Sequence, residues 1–172
     1  MRQKLKLYLL FVLLFSLTAH SFAQQVSQWA KWSWLIGEWK GEGSGKPGQG
    51  SGTFSLQPDL ANKILVRKNH SEYPATKDKP ATIHDDLMIV YTDFTGNPSK
   101  AIYFDNEGHT INYSIIYSDK SVVLTSDKIP NVPVFRLSYI LLDKGSIDVK
   151  FEMSQDGQTF TIYTEGKCTK IK

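Results

Sequence analysis

The chain has 172 residues, of which 41% are hydrophobic and 22% charged, with 20 Lys and Arg residues against 17 Asp and Glu residues. This length suffices for one domain with a substantial core. Three of the basic residues lie within the first six positions, so the rest of the chain is formally neutral and carries no basic run. Nucleic-acid binding, which needs a clustered positive surface, is therefore not expected.

The N-terminal segment has the pattern of a cleavable secretory signal peptide. Three basic residues precede an apolar run over residues 7–17, and Ser21 and Ala23 are small residues with the spacing of a cleavage site. The run is shorter than the ~20 residues of a transmembrane helix, and no second long apolar stretch follows. We expect cleavage of residues 1–23 and a secreted or periplasmic protein. An uncleaved membrane anchor is the alternative.

The remaining chain, residues 24–172, is predicted to form a single β-barrel domain. Trp29, Trp32 and Ile36 indicate one short N-terminal helix, since their spacing places them on one face. Turn-forming residues then separate ten segments with strand-like patterns. These segments are approximately 37–44, 50–57, 62–73, 84–94, 99–105, 109–117, 121–127, 133–142, 146–154 and 158–170. Most connections have hairpin length, which predicts antiparallel neighbours in sequence order.

Alternation within these segments predicts how the sheet closes. In segment 146–154, Ile147 and Phe151 share a face opposite Asp148 and Lys150. Sheets with one apolar and one charged face, in meander order, favour an up-and-down barrel, with a two-sheet sandwich as the alternative. Charged outer faces disfavour an outer-membrane barrel. We therefore predict an all-β, antiparallel barrel of about ten strands with a short N-terminal helix.

The first predicted strand carries a motif over residues 37–45, with the sequence GEWKGEGSG. A Gly-x-Trp on the first strand, directly after a Trp-rich helical turn, resembles the start of calycin barrels. The Gly-x-Gly-x-Gly spacing is similar to that of the nitrobindin-like haem-binding barrels and related secreted bacterial barrels. The resemblance implies that Trp39 packs on the barrel floor, beneath a basic side chain such as Lys170. It also implies a ligand inside the barrel.

The resemblance does not extend to the haem ligand. Nitrobindin-like barrels hold haem iron through a His in the last strand, and the predicted strand 158–170 contains no His. No cofactor is therefore assigned, and haem binding with atypical ligation is kept as an alternative. His109 shares a predicted inward face with Tyr113 and could ligate a metal, although a hydrogen-bonded histidine is the simpler interpretation. A thiolate ligand at Cys168 is a further alternative to a buried apolar thiol.

The predicted interior supplies a candidate binding site. Gly41 and Gly43 share the face of Trp39, and a wall without side chains leaves space for a ligand. The other expected lining residues are Phe54, His109, Tyr113, Tyr139 and Phe151. The pattern and the resemblance together predict non-enzymatic binding of a small apolar or amphipathic molecule.

The sequence lacks the common catalytic motifs and so gives little support for an enzyme. The sequence has no nucleophile elbow, phosphate loop, dinucleotide fingerprint or metal-ligand spacing. Asp85 and Asp86 are adjacent, which points them to opposite faces of a strand. Arg136 and Glu152 are expected to form a cross-strand ion pair on the outer face. A small hydrolase, lyase or isomerase at the barrel mouth is the alternative function, and a side-chain-filled structural barrel is the third.

Overall fold

The structure is a computed structural model that describes residues 28–42 and 50–171. The predictions for the signal peptide and for Gly43 therefore lie outside the described residues. Ten antiparallel strands close into one barrel in sequence order, with β1 beside β10. The strands are β1 Gly37–Gly41, β2 Ser51–Asp59, β3 Ile64–Tyr73, β4 Thr82–Tyr91, β5 Lys100–Asp105, β6 Thr110–Tyr117, β7 Ser121–Ser126, β8 Val134–Asp143, β9 Ser146–Ser154 and β10 Thr161–Lys170.

The predicted all-β, antiparallel up-and-down architecture is confirmed. Period-two alternation places the apolar side chains inside the barrel, and the register joins them between strands. Leu124 on β7, for example, lies opposite Ile115 on β6 and Leu137 on β8, and all three are buried. Closing the sheet leaves no free edge between the first and last strands, because Trp39 and Gly41 pair with Lys170 and Cys168.

The predicted N-terminal helix is replaced, in the described residues, by a single 3-10 helix over Ala30–Trp32. The backbone N–H groups of Trp32 and Leu35 bond the carbonyls three residues earlier. Trp29, Trp32 and Leu35 are all buried, and their three-residue spacing matches the three-residue turn of a 3-10 helix. The third buried position is thus Leu35, while the predicted Ile36 is only partly buried.

This segment closes one end of the barrel, which we call the closed end. Trp29 Nε1 donates to the carbonyl of Asn62 at 3.0 Å, and Trp39 Nε1 donates to the carbonyl of Leu35 at 2.8 Å. Lys170 Nζ lies 5.2 Å from the centroid of the Trp39 ring and donates to the carbonyl of Trp34 at 3.2 Å. The expected packing of Trp39 on the floor, next to Lys170, is confirmed.

The opposite end, which we call the mouth, is bounded by the hairpin connections 74–81, 106–109, 127–133 and 155–160. The connections 60–63, 92–99, 118–120 and 144–145 lie at the closed end with the 3-10 helix. Within residues 28–42 and 50–171, no helix is long and apolar enough to cross a membrane.

Candidate functional site

The barrel interior is filled at the closed end and only partly covered towards the mouth. Leu65, Val90 and Ile147, in the closed half, have no exposed surface. In the mouth half, several inward-facing side chains pack on this core but keep partial solvent contact: Tyr103, Ile111, Phe135, Val149 and Phe151. We call the space lined by these five residues the recess. It lies on the mouth side of the fully buried core.

One wall of the recess is aromatic. The rings of Phe135 on β8 and Phe151 on β9 stack with centroids 5.7 Å apart and 9° between their planes. Tyr163 meets Phe151 edge to face at 6.1 Å. The register of β10 with β9 shifts around Tyr163, and a bulge of this kind re-aims a side chain. This wall offers an apolar contact surface to a ligand.

Open space lies beside this wall, at Gly166. Gly166 is opposite Val149 on the neighbouring strand, so a side chain at this position would point into the recess. A Cβ added there would meet no atom within 4 Å, whereas one added at Gly41 would lie 3.2 Å from the Cys168 sulfur. The space that we expected at Gly41 is thus partly filled by Cys168, and the open position is on the last strand.

A buried ion pair lies across the recess from the aromatic wall. Arg67 on β3 donates through Nη1 to Asp86 Oδ1 on β4, and their side chains are 8% and 4% exposed. The guanidinium carbon of Arg67 is 5.3 Å from the centroid of the Phe54 ring. Burial alone would lower the pKa of Arg67, but Tyr139 and Asp86 outweigh it and the pKa is raised. Arg67 is therefore charged, and Asp86 balances that charge.

Two buried donors near this ion pair lack an acceptor. Neither Arg67 Nε nor the Tyr139 hydroxyl has a hydrogen-bond partner among the described residues. Tyr139 is 1% exposed, and its ring lies 5.7 Å from Phe54, the same ring that Arg67 covers. Buried polar groups are usually satisfied, and these two donors, like Trp32 Nε1 and Trp34 Nε1 at the closed end, are exceptions among the described residues.

A chain of polar side chains continues from the ion pair to the rim of the mouth. His84 Nε2 lies 3.5 Å from Asp86 Oδ2 and 2.9 Å from the Tyr103 hydroxyl. The Tyr103 hydroxyl donates to Asp105 Oδ2 at 3.3 Å, and that oxygen is 2.9 Å from His109 Nδ1. The recess thus has one aromatic wall and one polar wall, which is the arrangement that an amphipathic ligand requires.

Burial suppresses ionisation of the candidate nucleophiles and bases around the recess. It raises the pKa of Tyr139 to about 12 and that of Cys168 to about 11. The pKa values of Tyr103 and Tyr113 are also raised, mainly by burial. At neutral pH these groups are a thiol and phenols rather than anions. Hydrogen bonding to Asp86 raises the pKa of His84 against the opposing effect of burial, and Glu107 adds to the rise.

Five of the predicted lining residues lie inside the barrel, at different depths. Trp39 is part of the closed-end floor, while Phe54, Tyr113 and Tyr139 are buried between floor and recess. Of these five predicted residues, Phe151 is the one that lies on the aromatic wall and is partly exposed. Sequence reasoning missed Arg67 and Asp86, although Arg67 follows Leu65 at the spacing of inward-facing residues.

His109 is the hydrogen-bonded histidine that we preferred to a metal ligand, but it lies at the rim of the mouth rather than on the inner wall. Strand β6 begins at Thr110, and His109 ends the preceding turn with its side chain 61% exposed at the rim. The Asp105 carboxylate accepts from the backbone N–H of His109 and holds its ring. The inward histidine is His84, which is 24% exposed.

The side chains do not fit haem ligation of the nitrobindin-like kind. The last strand has no His, and His84 and His109 are each engaged by carboxylates at the polar wall. Burial raises the pKa of the Cys168 thiol to about 11, and its sulfur lies below the recess, beside Gly41. Among the residues that the structure describes, no group of three or more His, Cys, Asp or Glu side chains could hold a metal ion.

Two further predictions about charged residues are confirmed. Arg136 and Glu152 form a cross-strand ion pair with two contacts of 2.8 Å, and the guanidinium lies 3.8 Å from the Phe160 centroid. The side chains of Asp85 and Asp86 are 54% and 4% exposed, as expected for opposite faces of β4. Because Asp85 and Asp86 lie on opposite faces, their carboxylates do not form a catalytic dyad.

Comparison of the sequence with models of known protein families gives no match, and comparison with curated proteins gives none either. The interpretation of the recess therefore rests on its own geometry and chemistry.

Proposed function

We propose that this protein binds a small amphipathic molecule in the recess, which the ligand enters from the mouth. The burial gradient supports this proposal most directly. Leu65, Val90 and Ile147, deeper in the interior, have no exposed surface, whereas Phe151, Val149 and Tyr103 point inward and remain partly exposed. A barrel filled entirely by its own side chains would bury these residues as completely as Leu65.

Uptake of N-phenylnaphthylamine, a neutral dye whose fluorescence rises in apolar surroundings, tests the proposal. Gly166→Leu should weaken uptake by about tenfold or more, since the new side chain occupies the open space beside Val149. Its unfolding midpoint in urea should stay close to that of the parent protein, because no atom lies in the path of the added Cβ. Overpacking of a filled interior would instead destabilise it by about 1–3 kcal/mol.

Lys167→Leu is the matched control. It places the same side chain one position along β10, opposite Asp148 on the outer face. Dye uptake should be unchanged in this variant. Absence of uptake by the parent protein, or an equal loss in both variants, would contradict interior binding.

The polar wall supports a second candidate function, an acid–base hydrolase. His84 is the one inward-facing histidine of the described chain, and Tyr103 and Asp86 contact its Nε2. An imidazole so placed could activate water against a bound ester. Release of methanol from methyl decanoate, abolished by His84→Gln while dye uptake persists, would establish this activity. Unchanged ester after prolonged incubation favours binding alone.

We further propose that the protein works in a secreted or periplasmic compartment. The charge, length and cleavage-site pattern of residues 1–23 support this. N-terminal sequencing of the exported protein should give a first residue at or near Gln24. An N-terminus within residues 1–10 would contradict cleavage.

A further inference from the structure

The two donors without an acceptor define a polar point at the base of the recess. Arg67 Nε and the Tyr139 hydroxyl belong to side chains that are 8% and 1% exposed, and neither has a partner among the described residues. Both side chains contact the ring of Phe54.

Both groups are donors, so their missing partner is an acceptor. Arg67 has only N–H donors, and its Nη1 is already used by Asp86. Burial raises the pKa of Tyr139 to about 12, so its hydroxyl keeps its proton at physiological pH. A carbonyl oxygen, with two lone pairs, can accept from both.

The charge balance decides between an ionic and a neutral acceptor. Asp86 already neutralises Arg67, and the next ionisable groups on the polar wall are His84 and the carboxylates Asp105 and Glu107. A carboxylate ligand would place a second negative charge beside Arg67, whose charge Asp86 already balances, while the nearby His84 is already engaged by Asp86 and Glu107. A neutral carbonyl satisfies both donors and leaves the site uncharged.

We propose that Arg67 Nε and the Tyr139 hydroxyl form a subsite for the neutral carbonyl group of an amphipathic ligand, such as an ester, ketone or amide. The apolar part of that ligand lies against Phe135 and Phe151. This assignment rests on the proposed binding function, which it deepens by naming the chemical class of the ligand.

Displacement of N-phenylnaphthylamine by four compounds tests the subsite. The compounds are decanoate, decylamine, decane and methyl decanoate, which carries one further carbon in its methoxy group; all four share a straight ten-carbon chain, so that the head group is what changes. Methyl decanoate should compete at about tenfold lower concentration than decane, because it gains hydrogen bonds worth about that factor. Decanoate should compete worse than methyl decanoate at neutral pH.

Tyr139→Phe removes one donor without changing the ring. The advantage of methyl decanoate over decane should shrink severalfold in this variant, while competition by decane stays unchanged. Tyr117→Phe is the matched control, because Tyr117 packs on Trp32 towards the closed end. Competition by methyl decanoate and competition by decane should both be unchanged in this variant.

The outcomes separate the subsite from the binding function. Equal competition by methyl decanoate and decane, or tightest binding of decanoate or decylamine, overturns the neutral-carbonyl subsite while interior binding stands. Lack of dye uptake by the parent protein overturns the binding function itself.

Discussion

At the scale of single residues, the buried ion pair of Arg67 and Asp86 is the charged contact whose loss we expect to destabilise the fold most. Each is more than nine-tenths buried, so removing one partner leaves the other as an uncompensated charge. Asp86→Asn should therefore lower the free energy of unfolding by about 3–5 kcal/mol, measured by urea unfolding followed by circular dichroism.

Glu152→Gln is the control for that substitution. It also breaks a cross-strand ion pair, but the Arg136 side chain in this pair is one-third exposed. Solvent screens the pair, so we expect a loss of about 1 kcal/mol or less. Equal losses in the two variants would contradict the assignment of Asp86 as a deeply buried counter-ion.

The histidines at the mouth make folding stability depend on pH. The pKa of His70 is raised by its hydrogen bonds to Asp85 and Glu72, and that of His84 by its bond to Asp86. Groups with a raised folded-state pKa contribute stability that is fully present below the unfolded value of 6.5 and is lost as the pH rises through the folded value.

The midpoint of urea unfolding should therefore fall as the pH rises above 6.5. His84→Gln should reduce the size of that fall, since one of the two contributing groups is gone. A midpoint that rises over this range, or a variant with the same pH dependence as the parent, would contradict the prediction.

At the scale of secondary-structure elements, the 3-10 segment is the element on which closure of the barrel depends. Trp32 is 1% exposed and contacts Trp29 and Tyr117. Trp32→Ala should lower the free energy of unfolding by about 3–5 kcal/mol, as expected for a large buried aromatic side chain. Ser33→Ala, at the exposed neighbouring position, should change it by less than about 0.5 kcal/mol. Comparable stability of both variants would show that the segment does not close the barrel.

The strands could be predicted from the sequence because alternation and turn residues are local signals. Segment 146–154 coincides with β9, and turns such as 143–145 and 155–157 mark its ends. The helix could not be predicted as well, because Leu35 and Ile36 are adjacent and both apolar. Only the packing against the barrel end selects Leu35 and with it the tighter 3-10 turn.

The polar part of the site was not predictable in the same way. Arg67 and Asp86 are 19 positions apart and meet through the register of β3 with β4, in which Arg67 lies opposite Met88. Polar residues at inward positions also weaken the alternation that identifies a face. The rim position of His109 has a related cause, because its place in a turn ends the strand periodicity one residue before β6.

At the scale of the whole molecule, the barrel has two halves with different roles. The closed half contains the fully buried side chains and the tryptophan-rich 3-10 segment, while the mouth half contains the partly exposed walls of the recess. A ligand that binds only the folded recess stabilises the protein in proportion to its occupancy. The added stability should appear where local opening exposes the recess, because the two halves open with different free energies.

Hydrogen exchange measured by mass spectrometry can test this division. Without ligand, peptides from the closed-end parts of the strands, such as 36–40 and 87–91, should exchange slowest, since they carry the fully buried side chains Trp39 and Val90. Saturating N-phenylnaphthylamine should slow exchange by severalfold in peptides from the mouth, such as 82–86 and 161–166, because it suppresses the local opening that exposes the recess. Gly166→Leu should abolish this protection. Mouth peptides that exchange at the same rate with and without the dye would contradict a site in the recess, and protection confined to the closed end would place the ligand at that end instead.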